Sequence, residues 1–376
     1  MELEEVIQKR IRDDGPLPLA SYVELALYHP TLGYYSRAGQ RSGQSGDFFT
    51  SVDLGPSFGE MLAVQFNEMW NQLGTERFDL VEAGAGNGRL TRDILSAASK
   101  QTPAFYAAID VHLIERSSVA RDLQPNTLGN HTTKLSSAGE TLPPDINGVI
   151  FANELLDAFP PHVLVMTDDG LREVYVDTES DGTFVERLGP VSSQRVQKHI
   201  DTHGVVLEPG WRAEVTPDAV DWVRQATTSL NRGFLLLIDY GHEARELYSA
   251  THATGTLTTY SRHHAETVDF STKSWLVCPG SKDITSHVDI TCVRETAESN
   301  GANTLGILDQ TYFLIGLGIS TATNRDTDNV SEIKKRLAVK SLILPGGLGS
   351  TQKVMVFGKN VGQPQLTGLS YQMRIT

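Results

Sequence analysis

The sequence predicts an α/β protein built on a doubly wound, mostly parallel sheet. Two observations lead to this class. From residue 78 onward, short apolar runs recur at 78–82, 111–115, 148–152 and 234–239, each with a polar or acidic residue at its end. Between them lie stretches with helical periodicity, such as 89–98, where Leu90, Ile94 and Leu95 share a face, and 219–230. Strand, helix and strand alternating at these intervals place the strands parallel, with helices covering the sheet.

The elements ahead of residue 78 read as helical. Leu3, Val6, Ile7 and Ile11 recur at helical spacing, and Leu19, Tyr22, Val23, Ala26 and Leu27 do the same between Gly15-Pro16 and Pro30. A Gly- and Ser-rich stretch over 33–46 follows and ends in Gly46-Asp47-Phe48-Phe49-Thr50. A loop of that length inside a compact domain is more often functional than passive. Ser57 and Glu60 have the spacing of a capping box, and Phe58, Met61, Leu62, Phe66, Met69 and Trp70 form one apolar helix face. Beyond the first strands, Val163-Leu164-Val165 and Val174-Tyr175-Val176 flank the turn-like Asp168-Asp169-Gly170 and predict an inserted β-hairpin. A last strand is expected over 353–357, after the glycine-rich Pro345-Gly346-Gly347-Leu348-Gly349.

Length and composition narrow the function. A chain of 376 residues makes two structural units or one enlarged one, and 39 % hydrophobic with 21 % charged residues excludes a disordered or fibrous chain. The 46 acidic residues exceed the 32 basic ones by 14, which repels phosphate and argues against a nucleic-acid partner while leaving room for a cationic ligand. Cys278 and Cys292 provide neither a disulfide framework nor metal-ligand spacing. The apolar run 234–238 is far too short to span a bilayer, so no membrane insertion is expected. The acidic opening Met1-Glu2-Leu3-Glu4-Glu5 does not resemble a secretory or organellar leader, and the expected location is the cytoplasm.

In an open parallel sheet, ligands bind at the carboxyl ends of the strands where the winding reverses. The first such end is Leu80-Val81-Glu82-Ala83-Gly84-Ala85-Gly86-Asn87-Gly88-Arg89. Glycines here let a ligand approach the backbone, and the following helix start offers free N–H groups. The spacing is G-x-G-x-G, with Arg89 where a dinucleotide fingerprint has its third glycine, which disfavours NAD. A tight turn that binds nothing is the plainer alternative. Glu115 ends the second strand and can accept two hydrogen bonds from a ribose diol, or it is simply a solvated acid. It lies 33 residues beyond Glu82, against roughly 20 in a dinucleotide unit.

The third strand end continues as Asn153-Glu154-Leu155-Leu156-Asp157-Ala158. One helical turn would put Glu154 and Asp157 on the same side, where two carboxylates can fork a guanidinium or act as acid and base. The alternative is a pair of acids complementing a helix N-terminus. Asp239-Tyr240-Gly241 closes the central apolar strand with a polar triplet that a turn alone does not require. His263, His264 and His287 have no recognisable ligand spacing, and no metal is expected.

With these motifs in order along nearly the whole chain, the sequence resembles the MidA-like methyltransferases, the group that includes the mitochondrial complex I assembly factor of protein-arginine methyltransferase type. The residues carrying the resemblance are Leu32-Gly33-Tyr34-Tyr35, Gly46-Asp47-Phe48, Phe58-Gly59-Glu60, the loop from Glu82 to Gly88, Asn153 to Ala158, Asp239-Tyr240-Gly241, Gly255-Thr256-Leu257 and Asp283 to Asp289. Thr258-Thr259-Tyr260 departs from relatives that often carry a basic residue there.

The resemblance implies a Rossmann-like class I methyltransferase fold with a seven-stranded sheet, an N-terminal helical cover and inserted segments. The implied organisation is a helical cover and substrate loop over 1–75 and an S-adenosylmethionine-binding half of the core over 76–160. An insertion with hairpin and helices would follow over 161–230, and the second half of the core, with C-terminal strands, over 231–376. S-adenosyl-L-methionine is the implied cofactor, held by Glu82, Gly84, Gly86, Gly88, Glu115 and Asn153. Glu154 and Asp157 are the catalytic candidates, and Asp47, Tyr240 and His287 the substrate-binding ones. The implied acceptor is an arginine of a protein substrate, a respiratory-complex subunit or its equivalent. A small molecule or another side chain as acceptor, or an assembly protein that keeps the fold without catalysis, are the other readings. The N-terminal helices serve as a lid, as plain packing or as the contact of a homodimer.

Overall fold

The apolar runs that alternate with helices become the strands of one sheet in a computed structural model, which describes residues 2–36, 50–261, 264–265, 273–319, 330–343 and 351–371. Asp47, His263 and the glycine-rich stretch 345–349 lie outside the described residues. The chain divides into two compact units, one comprising residues 49–155, 223–240 and 294–376, the other residues 1–48, 156–222 and 241–293.

The first unit carries the sheet. Its strands are β1 (Phe78–Ala83), β2 (Ile109–Ile114), β3 (Leu135–Gly139), β4 (Ile146–Asn153), β5 (Leu230–His242, whose last two residues belong to the second unit), β6 (Asn303–Asp309) and β7 (Gln352–Lys359). They lie in the order β6-β7-β5-β4-β1-β2-β3. The pairs among β5, β4, β1, β2 and β3 are all parallel, and β7 runs antiparallel to both β5 and β6. These seven make the sheet that the resemblance implies, and among the described residues the short strand Val288–Asp289 adds an eighth by pairing in parallel with Gly241-His242 at the end of β5. Winding proceeds outward from β1 through β2 to β3 and then resumes on the other side of β1 with β4. The reversal therefore falls between β1 and β4, and a ligand is expected there.

Central strands read as nearly continuous apolar runs because both of their faces are covered. Val149, Ile150 and Phe151 of β4 and the residues from Phe234 to Ile238 of β5 are all buried. The helix Ser57–Leu73 contributes Phe58, Leu62, Phe66 and Met69 to the same core, and the Phe66 and Phe151 rings sit 5.1 Å apart. Its start differs from the expected capping box. Pro56 caps the helix without a side-chain bond, and Glu60 instead accepts from Lys335 Nζ at 2.8 Å. Phe234→Ala would leave a ring-sized cavity at the centre of β5. Its expected cost is about 3–5 kcal/mol, read as a lowered denaturation midpoint at unchanged slope.

The second unit shows the expected hairpin within a larger antiparallel arrangement. Strands His162–Thr167 and Gly170–Thr178 pair with Thr167 opposite Gly170, so Asp168-Asp169 forms the two-residue turn. Arg212–Val215, Phe184–Gly189 and the short Leu17–Pro18 add to the pair and make five strands. Leu3, Ile7 and Ile11 of the helix Leu3–Asp14, and Leu19, Tyr22 and Val23 of the helix Leu19–Tyr28, share a core with Val163, Val174 and Val176. The buried Tyr22 hydroxyl donates to the Trp275 carbonyl at 3.0 Å. Among the described residues no helix is long and apolar enough to cross a membrane.

Candidate active site

At the end of β1 the backbone turns through Gly84, Gly86 and Gly88 at φ of 68°, 51° and 85°. These are left-handed values that a side chain makes costly, which accounts for the glycine series. The helix Arg89–Gln101 begins immediately afterwards. Glu82 is buried, and its Oε2 accepts from Thr91 N at 3.2 Å and from Thr91 Oγ1 at 2.5 Å. It thereby ties the strand end to the first turn of the helix. Burial pushes its carboxyl up to about 8, with the Thr91 bonds working the other way. Glu82 shapes the turn.

The next strand supplies the second part. Glu115 follows β2, with Oε2 accepting from Gly86 N at 2.9 Å and Oε1 from Ser117 N at 2.7 Å. Its carboxylate therefore faces the glycine turn. Gln124 braces the same turn by donating to the Gly86 carbonyl at 2.9 Å.

Three features test whether a sulfonium nucleoside fits these residues. A Cβ built on Gly86 would meet nothing within 4 Å, so the approach to this backbone is open. A carboxylate with further acceptor capacity stands at that opening. Asn153 Oδ1, at the end of neighbouring β4, is buried without a hydrogen-bond partner and can accept from an ammonium or hydroxyl. The residues fit: the turn for close approach, Glu115 for a ribose diol, and Asn153 for a donor group. Glu115→Ala is expected to weaken S-adenosyl-L-homocysteine binding by about 10² to 10⁴, the scale of two hydrogen bonds to a charged acceptor at roughly 1.5–3 kcal/mol each. Titration calorimetry on the folded variant checks this.

Glu154 begins the third part. It has a non-glycine left-handed backbone, φ 54°, and its N–H donates to the Ile238 carbonyl of β5 at 2.8 Å. Such a conformation costs on the order of 1–3 kcal/mol and persists only where its surroundings fix it. The strand-end bonds do so here. Asp239, buried on β5, accepts from Leu155 N at 3.1 Å and from Tyr240 N at 2.9 Å. Desolvation pushes the Glu154 carboxyl up to about 8, and the neighbouring Asp239 adds to the rise. The amide groups of Gln352 and Asn153 offset part of it, the latter donating to Glu154 Oε1 at 3.2 Å.

Glu82, Gly84, Gly86, Gly88, Glu115, Asn153, Glu154 and Tyr240 thus all stand at the ends of β1, β2, β4 and β5 in the sheet unit. The helical turn expected to carry both Glu154 and Asp157 does not form. The turn there is the short 3₁₀ segment Leu156–Ala158, which starts after Glu154 because the left-handed residue breaks the helical path. Asp157 is buried in the second unit, where its carbonyl accepts from Ser286 N at 3.2 Å. His287 also belongs to that unit, grouped with His242 and His252. Asp47 is outside the described residues.

Residues beyond the sequence motifs also build the site. Arg89 donates to Asp53 Oδ1 at 2.7 Å and to the Val52 carbonyl at 3.1 Å, fastening the segment that follows the long loop to the glycine turn. Asp53 also accepts from Thr50 N at 3.0 Å and Thr50 Oγ1 at 2.9 Å, and Ser51 bonds to Gln310 and Gln352. Reading Arg89 only as a departure from a dinucleotide fingerprint overlooks this role. The signal lay in Thr50 and Asp53, an acid three residues past a hydroxyl just ahead of a helix.

A parallel sheet wound in this order, opening onto a glycine turn with an acid at the next strand end, defines a nucleoside-binding α/β enzyme. Comparison makes the class specific: a family model described as S-adenosyl-L-methionine-dependent methyltransferase matches residues 61–308, and the chain belongs to that family. S-adenosyl-L-methionine is its cofactor. A Mus musculus protein named protein arginine methyltransferase NDUFAF7, mitochondrial, is 29 % identical over 350 residues, covering 86 % of this chain and 76 % of that protein. The Caenorhabditis elegans homolog is 29 % identical over 362 residues, covering 86 % and 78 %. A crystal structure of a Burkholderia thailandensis protein described as a methyl transferase, bound to S-adenosyl-homocysteine, superposes with a TM-score of 0.88 at 28 % identity, over 99 % of this chain and 95 % of that one.

Proposed function

We propose that this methyltransferase acts on an arginine side chain of a protein substrate. The observation that carries the reading is the carboxylate group at the ends of β4 and β5: Glu154, held in a costly conformation, with Asp239 and Asp53 acting on it electrostatically. The relatives named above as protein arginine methyltransferases support the same acceptor. An acidic site suits this chemistry because a guanidinium keeps its charge, with a pKa above about 12.

When bound, the cofactor supplies a methyl group already activated on a positively charged sulfur. The chain's task is alignment, worth roughly 7–11 kcal/mol when a nucleophile is held in line. Glycines 84, 86 and 88 admit the nucleoside, and Glu115 holds its sugar. Glu154, as a carboxylate, accepts hydrogen bonds from the guanidinium, concentrates electron density on one nitrogen and lowers the repulsion between the two cations. As that nitrogen forms its bond to the methyl carbon, the carbon–sulfur bond breaks and sulfur keeps the electron pair. The proton released from nitrogen passes to the Glu154 carboxylate.

Labelled cofactor incubated with cell extract and the chain, followed by amino-acid analysis of hydrolysed protein, tests the acceptor. Label in methylated arginine supports the proposal. Label in other residues or in small molecules, or cofactor binding without transfer, contradicts it.

A further inference from the structure

We propose that His242, His252 and His287 form a binding site for one divalent transition-metal ion of the zinc class. All three belong to the second unit. His242 ends β5, His252 ends the short turn Ala250–His252, and His287 immediately precedes the strand Val288–Asp289, which pairs in parallel with Gly241-His242. One ring nitrogen from each lies within 4.8 Å of the others, and the ring centroids stand 4.6, 5.1 and 6.1 Å apart. Metal–nitrogen bonds of 2.0–2.1 Å in a tetrahedral site place nitrogens about 3.4 Å apart. Closing to that spacing takes side-chain rotation, with His252 carried on a surface turn.

The surroundings orient two of the rings as metal ligands are oriented. His242 Nδ1 lies 3.1 Å from a Glu246 carboxylate oxygen, and His252 Nδ1 lies 3.0 Å from the Glu246 carbonyl. A carboxylate or carbonyl on one ring nitrogen fixes the tautomer, so that a metal would be taken by Nε2 on both rings. The third ring shows a need. His287 Nδ1 is buried without a hydrogen-bond partner, beside two other imidazoles, while its backbone N–H is satisfied by Thr256 Oγ1 at 3.0 Å. A buried ring nitrogen left in this way is unfavourable without a hydrogen-bond partner or a Lewis acid.

Three imidazoles favour zinc, copper or nickel over magnesium or calcium, which take oxygen ligands. Three protein ligands leave a fourth position for water. Bound there, the ion would pin the end of β5 and the strand Val288–Asp289 to the turn at 250–252. Spacing alone hides the group, because the ligands are 10 and 35 residues apart and converge only through the pairing of β5 with Val288–Asp289.

The test is titration of the tag-free, chelator-stripped full chain with Zn²⁺, with Co²⁺ as spectroscopic probe. The expected result is saturable binding of one ion per chain, a tetrahedral cobalt spectrum and a zinc-dependent rise in melting temperature. His252→Ala and His287→Ala should each lower the affinity at least tenfold. His203→Ala, in the same unit, should not change it. His252 is on a surface turn, so its variant is the one least exposed to folding defects, and retained cofactor binding confirms the fold. Absence of a saturable one-to-one site, or affinity unchanged in both variants, overturns the proposal.

Discussion

Gly86→Val is expected to abolish cofactor binding in a chain that still folds. The two halves of this expectation have separate physical grounds. Gly86 sits at φ 51°, so any side chain there carries a left-handed penalty of about 1–2 kcal/mol. A domain can absorb that cost, since native stability is typically about 5–15 kcal/mol. A Cβ at this position would touch no protein atom within 4 Å, so the branch point itself adds no clash to the penalty. The space it fills is the space through which the nucleoside must approach the backbone. Affinity for S-adenosyl-L-homocysteine should fall at least about a hundredfold, equivalent to about 2.7 kcal/mol. Calorimetry measures the loss, and an intact cooperative melt shows that the fold survives. Near-normal affinity in the folded variant would remove the turn from the cofactor site.

Glu154→Gln should separate binding from chemistry. The substitution preserves size and the contact with Asn153, but removes the charge and the ability to take a proton. Cofactor affinity should remain near normal while methyl transfer falls by about 10² or more, the range for a positioned acid–base group. The carboxyl's rise to about 8 adds a pH signature. Below that value the group is protonated and neutral, and above it the group is an anion able to hold guanidinium. The ratio kcat/KM, which reports the free enzyme, should therefore rise as pH passes through about 8. The variant should lack this inflection. Unchanged turnover, or the same profile in both proteins, would assign Glu154 a purely structural role.

Much of the sheet was legible because β4 and β5 are covered on both faces and so carry uninterrupted apolar runs, while β1 and β2 keep apolar residues at their buried positions between Asp79, Asp110 and His112. The glycine turn was legible for a different reason: left-handed φ values at alternating positions leave few residues to choose from. The helical turn expected over Glu154 and Asp157 did not form because spacing of three residues assumes helical backbone, and the first of the two is itself left-handed. Its conformation depends on the bond to Ile238 on β5, more than 80 residues away, which no local pattern carries. The same limit applies to Arg89 with Asp53 and to the three histidines. Their partners are brought together by strand order and by crossovers, whereas periodicity reports only neighbours within a turn or two of chain.

A crystal structure of this chain with S-adenosyl-L-homocysteine tests the central claim most directly. The nucleoside should lie over Gly86, with both ribose hydroxyls within hydrogen-bond distance of the Glu115 carboxylate and a donor group on Asn153 Oδ1. A ligand bound elsewhere, with Glu115 turned away from its sugar, would contradict the account.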